Sequence, residues 1–422
     1  RRRGPLAGRF LVILQVAKLA LSAELQGWIA NIRLTGWIFS EITDNEERED
    51  LRMNLDMLHM GMQEAARGFA VEGELVECKP WGNGHINDTY IMTLRQRGIE
   101  RRYSLQHMNR TVFTDPVSLM DNILHVTEYL KDQIREQGGD PHRETLDFVR
   151  AKTGEPYFVD SFGEYWRAYH FIEDAYALEE TSDPQDFYES AVAFGHFQKM
   201  LAEFPADSLT ETIAGFHDTK ARYKIFQKAV EADVCGRAAA VQEEIRFVQE
   251  RYDVACVLGD LLAEGKLPLR VTHNDTKSNN VLIDEATGKG LCVIDLDTVM
   301  PGLAVNDFGD SIRFGASTGA EDEKDLTKIS CDLELYNLYT KGFIEGCGGI
   351  LTDMEIKCLP IGAKVMTYEC GMRFLTDYLS GDTYFKIAYP EHNLDRTRTQ
   401  LKLVADMEAK WDQMEKIVEK YL

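Results

Sequence analysis

The sequence HNDTKSNNVL at His273–Leu282, followed by VIDLD at Val293–Asp297, holds the most informative residues of this 422-residue chain. In both segments, acidic or amide side chains stand directly beside short apolar runs of the kind that form buried strands. Gly288 and Gly290 lie between the two segments and supply the turn that connects them. The pattern therefore predicts carboxylate and amide groups held at the ends of short strands.

This set of side chains suits phosphoryl transfer. The reaction needs a carboxylate to orient the attacking hydroxyl and further oxygen ligands to hold magnesium on the nucleotide phosphates. The spacing His273-x-Asp275-x-x-x-x-Asn280 is that of a kinase catalytic loop, with Asp275 as the base and Asn280 as a metal ligand. Lys277 is expected to neutralise charge on the transferring group, and Asp295 to be the second metal ligand.

Each part of this pattern also has an ordinary explanation. A lone histidine-x-aspartate is common, and an aspartate at a strand end more often caps a turn than binds a ligand. Here three polar clusters follow one another, separated by strands of suitable length, inside a region that is otherwise helical. We therefore prefer the catalytic interpretation. In the next acidic cluster, Asn306–Asp310, we expect Asp307 to brace the catalytic loop by hydrogen bonds rather than to touch substrate.

The order of elements along the chain predicts two lobes. The first part is rich in strands, and past Glu173 the patterns are helical except for a strand-rich island at Leu269–Phe308. Strands first and helices later are typical of an α+β architecture. In the first part we expect strands at Leu75–Cys78, Thr89–Leu94 and Tyr103–Met108, a helix at Asp115–Ile134, and an antiparallel pair at Tyr157–Asp160 and Trp166–Ile172.

The N-terminal segment carries none of this chemistry. Arg1–Arg3 precede an apolar stretch at Phe10–Leu21 that polar residues interrupt, which has the outline of a signal peptide. The stretch is too short to cross a membrane, and the alternatives are an amphipathic helix or sequence upstream of the true start. We expect residues 1–56 to be an extension outside the fold, residues 57–172 to form the N-lobe and residues 173–422 to form the C-lobe.

The composition limits the partners. The chain has 47 Lys and Arg against 70 Asp and Glu, a formal net charge of −23. A negative charge of this size repels the phosphate groups of nucleic acids and of anionic membranes, so we expect no nucleic-acid partner and no membrane partner. The eight cysteines form no CxxC pair, which argues against a structural zinc site or a disulfide framework and favours a reducing, cytoplasmic location.

Three motifs together resemble a known family: GHINDTY at Gly84–Tyr90, HNDTK at His273–Lys277 and VIDLDT at Val293–Thr298. From about Met57 onward the chain resembles the aminoglycoside phosphotransferase and choline kinase superfamily, and within it the N-acetylhexosamine 1-kinase subfamily. The resemblance implies a protein-kinase-like bilobal α+β fold with a small antiparallel-sheet N-lobe and a large, mainly helical C-lobe. It also implies ATP and Mg²⁺, with transfer to the anomeric 1-hydroxyl of a small sugar, GlcNAc or GalNAc.

The family further implies where the nucleotide binds. A glycine-containing loop, here Gly82, Asn83 and Gly84, would lie over ATP, and backbone N–H groups in such a turn bind phosphate oxygens. Such a sequence also suits a plain hairpin turn. The segment Tyr169–Glu173, which includes Phe171 and Ile172, would be the lobe connector whose backbone meets the adenine edge, and the alternative is a buried edge strand.

One position departs from the kinase pattern. Kinases carry a phosphate-binding lysine on the third strand, where this sequence offers Gln106. A glutamine side chain hydrogen-bonds a phosphate but brings no positive charge. A pseudokinase that binds nucleotide without turnover is therefore an alternative. The presence of Asp275, Lys277, Asn280 and Asp295 favours an active enzyme.

The acceptor depends on residues far from the catalytic loop. Planar polar groups and aromatic faces hold sugars, and we expect Arg373 and Tyr384 to contact the acceptor, with His85 reaching it from the glycine-containing loop. Structural ion-pair and packing roles are the alternatives for Arg373 and Tyr384. A kinase of another acceptor, of the aminoglycoside, choline or homoserine type, is the alternative function.

Overall fold

The computed structural model describes residues 45–82, 86–178 and 183–422. The chain divides into two compact units. The first runs to Leu124 and includes Leu146–Ile172, and the second comprises His125–Thr145 and Glu173–Leu422. The predicted α+β class, with a sheet-rich first part and a helical second part, is confirmed. The extension expected at 1–56 lies outside the described residues as far as residue 44.

The first unit is built on one antiparallel sheet. Its strands follow the order β1-β2-β3-β6-β4, and β5 pairs with β6. The three predicted strands and the predicted antiparallel pair are all present. The elements are α1 (Asn45–Gly68), β1 (Glu74–Pro80), β2 (Asp88–Gln96), β3 (Ile99–His107), β4 (Phe148–Val149), β5 (Phe158–Val159) and β6 (Tyr165–His170).

Apolar side chains from the sheet and from helix α1 form the core of the first unit. Trp166, Leu105 and Met92 are fully buried on the sheet, and Phe69 packs with them just after the end of α1. Burying each of these large side chains stabilises the fold by about 1.5–3 kcal/mol. The sheet and helix α1 therefore share one apolar core.

The second unit is mainly helical. A helix begins at Pro184, and the Asp183 side chain caps it by accepting the N–H of Gln185. Among the described residues, every helix is too short or too polar to span a lipid bilayer. The helices are α2 (Pro116–Glu136, of which residues from His125 onward belong to this unit), α3 (Pro184–Met200), α4 (Thr219–Ala232), α5 (Gln242–Glu250), α6 (Tyr252–Ala263), α7 (Ala304–Gly315), α8 (Leu333–Cys347), α9 (Asp353–Ser380), α10 (His392–Ala409) and α11 (Trp411–Val418).

Two small sheets carry the loops of the predicted strand-rich island. One has the order β10-β9-β7 and the other pairs β11 with β8. The sequence predicts helices after Glu173, but strand β7 comes first. A strand of three residues is too short to show a periodic pattern in the sequence. The strands are β7 (Ala175–Ala177), β8 (Arg270–Thr272), β9 (Val281–Asp284), β10 (Gly290–Val293) and β11 (Met300–Gly302).

Helices α7 and α9 pack closely enough to bring their polar side chains together. A Cβ atom at Gly309 of α7 would lie 2.3 Å from the carbonyl oxygen of Gly362 on α9. The two helices could therefore not pack this closely with a larger residue at Gly309. Helix α9 begins with a capping box between Thr352 and Glu355 that fixes its first turn. This packing places the acidic residues of α7 near those of α9.

Candidate active site

The predicted catalytic loop follows strand β8 and leads into strand β9. Strands β9 and β10 pair antiparallel, with Val281 opposite Val293. The N–H of Ile294 donates to the carbonyl of Asn280 at 2.9 Å, which extends this pairing by one step. Asn280 and Asp295 therefore flank the same end of one hairpin, and the structure brings together the two predicted metal ligands.

The Asp307 side chain binds the backbone of the predicted catalytic loop. Its carboxylate accepts the N–H of His273 at 2.9 Å and the N–H of Asn274 at 2.8 Å. The Gln198 amide also donates to it, at 2.7 Å. Burial raises the pKa of Asp307, and the donated hydrogen bonds oppose that rise. The prediction that Asp307 braces the catalytic loop is confirmed.

The three carbonyls of His273–Asp275 are satisfied as well. In chain order, they accept from Thr298 Oγ1 at 2.6 Å, from His217 Nε2 at 3.2 Å and from Asn280 Nδ2 at 2.8 Å. Buried backbone groups of this kind cost free energy when they lack a partner. The loop therefore has one strongly preferred conformation.

The His273 ring ties the loop to the hairpin. Its Nδ1 accepts the N–H of Asp275 at 3.3 Å, and its Nε2 lies 2.9 Å from the carbonyl oxygen of Ile294. An imidazole that accepts at Nδ1 and donates at Nε2 satisfies both contacts. His273 thus sets the distance between the loop with Asp275 and the strand end with Asp295.

Asp275 and Lys277 form a partly exposed ion pair. The Lys277 ammonium lies 3.0 Å from Oδ1 and 3.3 Å from Oδ2 of Asp275. Burial lowers the pKa of Lys277, but the carboxylates of Asp275 and Asp310 outweigh it and hold the pKa above its usual value. The Lys277 ammonium therefore lies beside a carboxylate that is partly exposed to solvent.

Asp310 is a site residue that the motifs did not single out. It is buried and accepts from Arg313 Nε at 2.9 Å, while Arg313 Nη1 also donates to Glu321 at 2.8 Å. Burial raises the pKa of Asp310, but Arg313 and Lys277 lower it further than burial raises it. Its position three residues after Asp307, on the same face of α7, is the sequence signal that would have found it.

A second missed pair supports the loop from the side. His217 and Glu369 are 152 residues apart, and His217 Nδ1 lies 2.9 Å from Glu369 Oε1. Thr219 Oγ1 donates to the other oxygen of Glu369 at 2.6 Å. No local spacing relates these residues, so only the tertiary structure shows that they belong together.

The predicted sugar contacts Arg373 and Tyr384 are brought together. The Arg373 guanidinium carbon lies 5.8 Å from the Tyr384 ring centre, 5.5 Å from that of Phe216 and 5.4 Å from that of Phe385. Such distances are those of cation–π contacts. We call these four residues the aromatic-arginine cluster.

A single carboxylate shapes the loop that carries Tyr384. Asp377, near the end of α9, accepts the N–H groups of Thr383 at 2.8 Å, Tyr384 at 2.9 Å and Phe385 at 2.9 Å. The side chain of Asp377 is buried, whereas Tyr384 is 58% exposed. One buried carboxylate therefore holds the backbone that carries the Tyr384 and Phe385 rings.

In the first unit, the predicted nucleotide residues lie on the sheet and next to it. Gln106 accepts from Arg167 Nε at 2.8 Å and donates to Thr89 Oγ1 at 3.0 Å. The side chain that replaces the expected lysine therefore holds a buried guanidinium on the neighbouring strand β6. Gly82 has a positive φ of 73°, and Asn83, Gly84 and His85 lie outside the described residues.

The segment after β6 carries the predicted adenine residues. The Phe171 ring lies edge-on to Trp81 at 6.0 Å, and the Arg102 guanidinium carbon is 4.2 Å from its centre. Ile172 is buried. These contacts fix the backbone at the end of the first unit.

The donors at the hairpin end fit a magnesium ion. Asn280 Nδ2 donates to the Asp275 carbonyl, which leaves the side-chain oxygen Oδ1 of Asn280 as an acceptor. The Asp295 side chain is exposed, and its backbone has a positive φ of 59°. Within the part of the chain that is described, no three His, Cys, Asp or Glu side chains form a cage for a metal. Mg²⁺ needs none, because one or two protein oxygens and the substrate phosphates suffice.

Solved structures of similar fold include aminoglycoside phosphotransferases and a choline kinase. An aminoglycoside phosphotransferase from Alicyclobacillus acidocaldarius matches with a TM-score of 0.54 and 13% identity, over 85% of this chain and 96% of that one. A spectinomycin phosphotransferase solved with ADP and spectinomycin matches with a TM-score of 0.51 and 12% identity, over 84% of this chain and 98% of that one. Choline kinase from Cryptosporidium parvum matches with a TM-score of 0.51 and 14% identity, over 84% of this chain and 97% of that one. At these identities the likeness establishes a kinase-like fold.

The sequence itself matches one family model. The model of the phosphotransferase enzyme family, APH, covers residues 77–328, which is more than half of the chain. The matched segment contains most of the sheet of the first unit, the predicted catalytic loop and the hairpin with Asn280 and Asp295. The chain therefore belongs to the phosphotransferase enzyme family.

Proposed function

We propose that this phosphotransferase moves the γ-phosphoryl group of ATP to the anomeric 1-hydroxyl of an N-acetylhexosamine, GlcNAc or GalNAc. The observation that supports it most strongly is the partly exposed Asp275 carboxylate, which lies 3.0 Å from the Lys277 ammonium on a loop whose preceding N–H groups, at His273 and Asn274, donate to Asp307. A fixed carboxylate next to a fixed cation is the arrangement that phosphoryl transfer from ATP to a hydroxyl requires.

In the proposed reaction, Asp275 orients the acceptor hydroxyl. The bond between that oxygen and the γ-phosphorus forms while the bond from the γ-phosphorus to the leaving oxygen of ADP breaks. The hydroxyl proton passes to the Asp275 carboxylate late in this step, because an anomeric hydroxyl is somewhat acidic for an alcohol. Lys277 stabilises the negative charge on the transferring group. The products are the sugar 1-phosphate and ADP.

We assign the metal ligands to Asn280 and Asp295. Bound there, Mg²⁺ would neutralise charge on the nucleotide phosphates. The protein contributes the placement of these two side chains, which the hydrogen bond from Ile294 N–H to the Asn280 carbonyl fixes at 2.9 Å. The Asn280 amide also holds the Asp275 carbonyl, so one side chain serves both the base and the metal site.

The nucleotide is assigned to residues of the N-lobe, which we place at residues 57–172, with the C-lobe at 173–422. Backbone N–H groups of the turn Gly82–Gly84 would bind phosphate oxygens, and the backbone at Phe171 and Ile172 would meet the adenine edge. Gln106 stands at the position of the kinase lysine, and its side-chain oxygen accepts from the buried Arg167 guanidinium at 2.8 Å.

The aromatic-arginine cluster favours a neutral sugar over a cationic acceptor. Quaternary ammonium ligands are bound inside cages of aromatic rings. Here the place between the rings of Phe216, Tyr384 and Phe385 is taken by the Arg373 guanidinium itself. A cation would be repelled from this position, whereas a sugar can accept hydrogen bonds from Arg373 and pack its apolar face on an exposed ring. His85 would contact the sugar from the glycine-containing loop.

A panel assay tests the proposal. ADP release is measured with ATP, Mg²⁺ and one of five acceptors: GlcNAc, GalNAc, galactose, choline or kanamycin. Turnover with GlcNAc or GalNAc, and a product whose phosphate is on the anomeric carbon by phosphorus NMR, supports the assignment. Turnover restricted to choline or kanamycin contradicts the sugar assignment, and retained ATP binding without turnover on any acceptor supports the pseudokinase alternative.

A further inference from the structure

The peptide unit that joins Asn274 to Asp275 is held at both of its polar atoms. Its oxygen accepts from His217 Nε2 at 3.2 Å, and its nitrogen donates to His273 Nδ1 at 3.3 Å. Asn274 has a positive φ of 64°, a conformation that a residue other than glycine keeps only when its surroundings enforce it. Because the Asp275 side chain starts from this peptide, a rotation of the peptide moves the carboxylate.

The contacts of His217 require a particular protonation state. Its Nδ1 lies 2.9 Å from a carboxylate oxygen of Glu369, and its Nε2 lies 3.2 Å from the Asn274 carbonyl oxygen. Both of these oxygens only accept hydrogen bonds, and a neutral imidazole has a single N–H to donate. Only the imidazolium satisfies both contacts at once.

The charges around His217 favour that cation. On helix α9 it faces Glu369 and Arg373, and on helix α7 it faces Asp310. Burial and Arg373 lower the pKa of His217, but Glu369 and Asp310 outweigh them, so the pKa is raised above its ordinary value. The partner agrees in direction: burial raises the pKa of Glu369, but His217 and Arg373 lower it further.

We propose that His217, as an imidazolium anchored by Glu369, is a positioning residue that sets the orientation of the peptide carrying Asp275. When His217 is deprotonated at alkaline pH, its hydrogen bond to the Asn274 carbonyl is lost. The peptide can then rotate, and phosphoryl transfer slows. The inference rests on the proposed function, since it takes Asp275 as the base. It adds a pH-dependent control of the base by a residue that does not touch substrate.

Dependence of kcat on pH in three variants tests this role. His217→Gln keeps an amide donor for the Asn274 carbonyl but does not titrate, so kcat is expected to stay near the wild-type value while the alkaline decrease disappears. His217→Ala loses the donor, so kcat is expected to fall roughly tenfold or more below the pH of the alkaline decrease and to approach the wild-type value above it. Glu369→Gln removes the anchoring charge, so the alkaline decrease moves to lower pH. In all three, KM for ATP stays within about twofold of wild type.

A matched control is His392→Gln. The His392 imidazole also lies beside a carboxylate, with Nε2 3.2 Å from Asp322, and its Nδ1 accepts the N–H of Ala388 at 3.0 Å. It has no contact with the catalytic loop in the described residues, so its pH profile should match the wild type. A wild-type profile in His217→Gln, or the same change in His392→Gln, would overturn the proposal.

An NMR titration separates failure of this inference from failure of the proposed function. With ¹⁵N-labelled histidine and aspartate, the His217 nitrogens should both carry protons at pH 6, and the Asp275 amide shift should follow the His217 titration. This readout needs no acceptor, so it decides the inference even if no compound in the panel turns over. A neutral His217 at pH 6, or an Asp275 amide that ignores the titration, contradicts the inference in a fully active kinase.

Discussion

The Lys277 ammonium lies 3.0 Å from the Asp275 carboxylate. One residue separates the two on a loop whose backbone is held by hydrogen bonds from other side chains. The loop backbone therefore fixes the spacing of the pair. The second carboxylate that raises the pKa of Lys277 belongs to Asp310, which is buried behind it. The proposed base and the proposed charge stabiliser are therefore parts of one electrostatic unit.

This arrangement predicts the effect of removing the cation. Lys277→Ala should lower kcat about 100-fold, because a preorganised charge aimed at the transition state typically contributes this much. KM for ATP should change less than kcat does. Lys289→Ala, at an exposed lysine in the turn between β9 and β10, is the control and should match the wild type. Steady-state kinetics measure both, and a wild-type kcat in Lys277→Ala would show that the lysine is not part of the reaction.

The metal assignment predicts a changed requirement for magnesium. Asp295→Asn keeps an oxygen but loses a charge, so the Mg²⁺ concentration at half-maximal rate should rise roughly tenfold or more. Asp284→Asn, at the far end of the same hairpin, should leave that concentration unchanged. Titration of Mg²⁺ against the rate at saturating ATP gives the answer. Equal requirements in the wild type and Asp295→Asn would remove Asp295 from the metal site.

The aromatic-arginine cluster predicts a selective loss of acceptor affinity. Arg373→Lys keeps the charge but loses the planar guanidinium that packs among three rings, so KM for the acceptor should rise several-fold while KM for ATP is unchanged. Arg251→Lys is a matched control, because Arg251 also stacks on a ring, that of Phe247 at 3.5 Å, and belongs to no proposed site. A rise in KM for ATP instead would place Arg373 on the nucleotide side.

The buried Asp310–Arg313 pair predicts how stability depends on pH. The pKa of Asp310 is lowered from its ordinary 3.8 because Arg313 and Lys277 outweigh burial. Such a group stabilises the fold above its unfolded pKa, and this stabilisation is lost as pH falls through the folded pKa. Asp310→Asn should lower the free energy of unfolding by about 3 kcal/mol at pH 7.

Urea denaturation at several pH values measures this effect. The difference between wild type and Asp310→Asn should be full at pH 7 and should shrink once the pH falls below 3.8. Asp260→Asn removes an exposed partner of Lys220 and should change stability little. A difference that grows as the pH falls would contradict the sign of the pKa shift.

The sequence predicts the parts of the site that lie close together in the chain. Asp275 and Asn280 share one loop, and a glycine turn connects that loop to Asp295, so local spacing reveals all three. Asp307 was also predicted as a brace, because it follows the same hairpin closely. The division into a sheet and a helical part follows from periodicity in the same way.

Other features depend on packing between distant segments. His217 and Glu369 are 152 residues apart, and they meet only because α9 packs beside the catalytic loop. The short strand β7 joins the hairpin through three residues, which is too few for a periodic signal. Arg373 and Tyr384 were named from residue type, but the rings of Phe216 and Phe385 around Arg373 come from tertiary contacts.

The most direct test of the account is the rate of Asp275→Asn together with its affinity for ATP. The substitution keeps the shape of the side chain and removes the carboxylate that orients the hydroxyl and takes its proton. We predict that kcat falls roughly 10²–10⁴-fold while calorimetry shows unchanged ATP binding. A variant that turns over at the wild-type rate would contradict the assignment of Asp275 as the base.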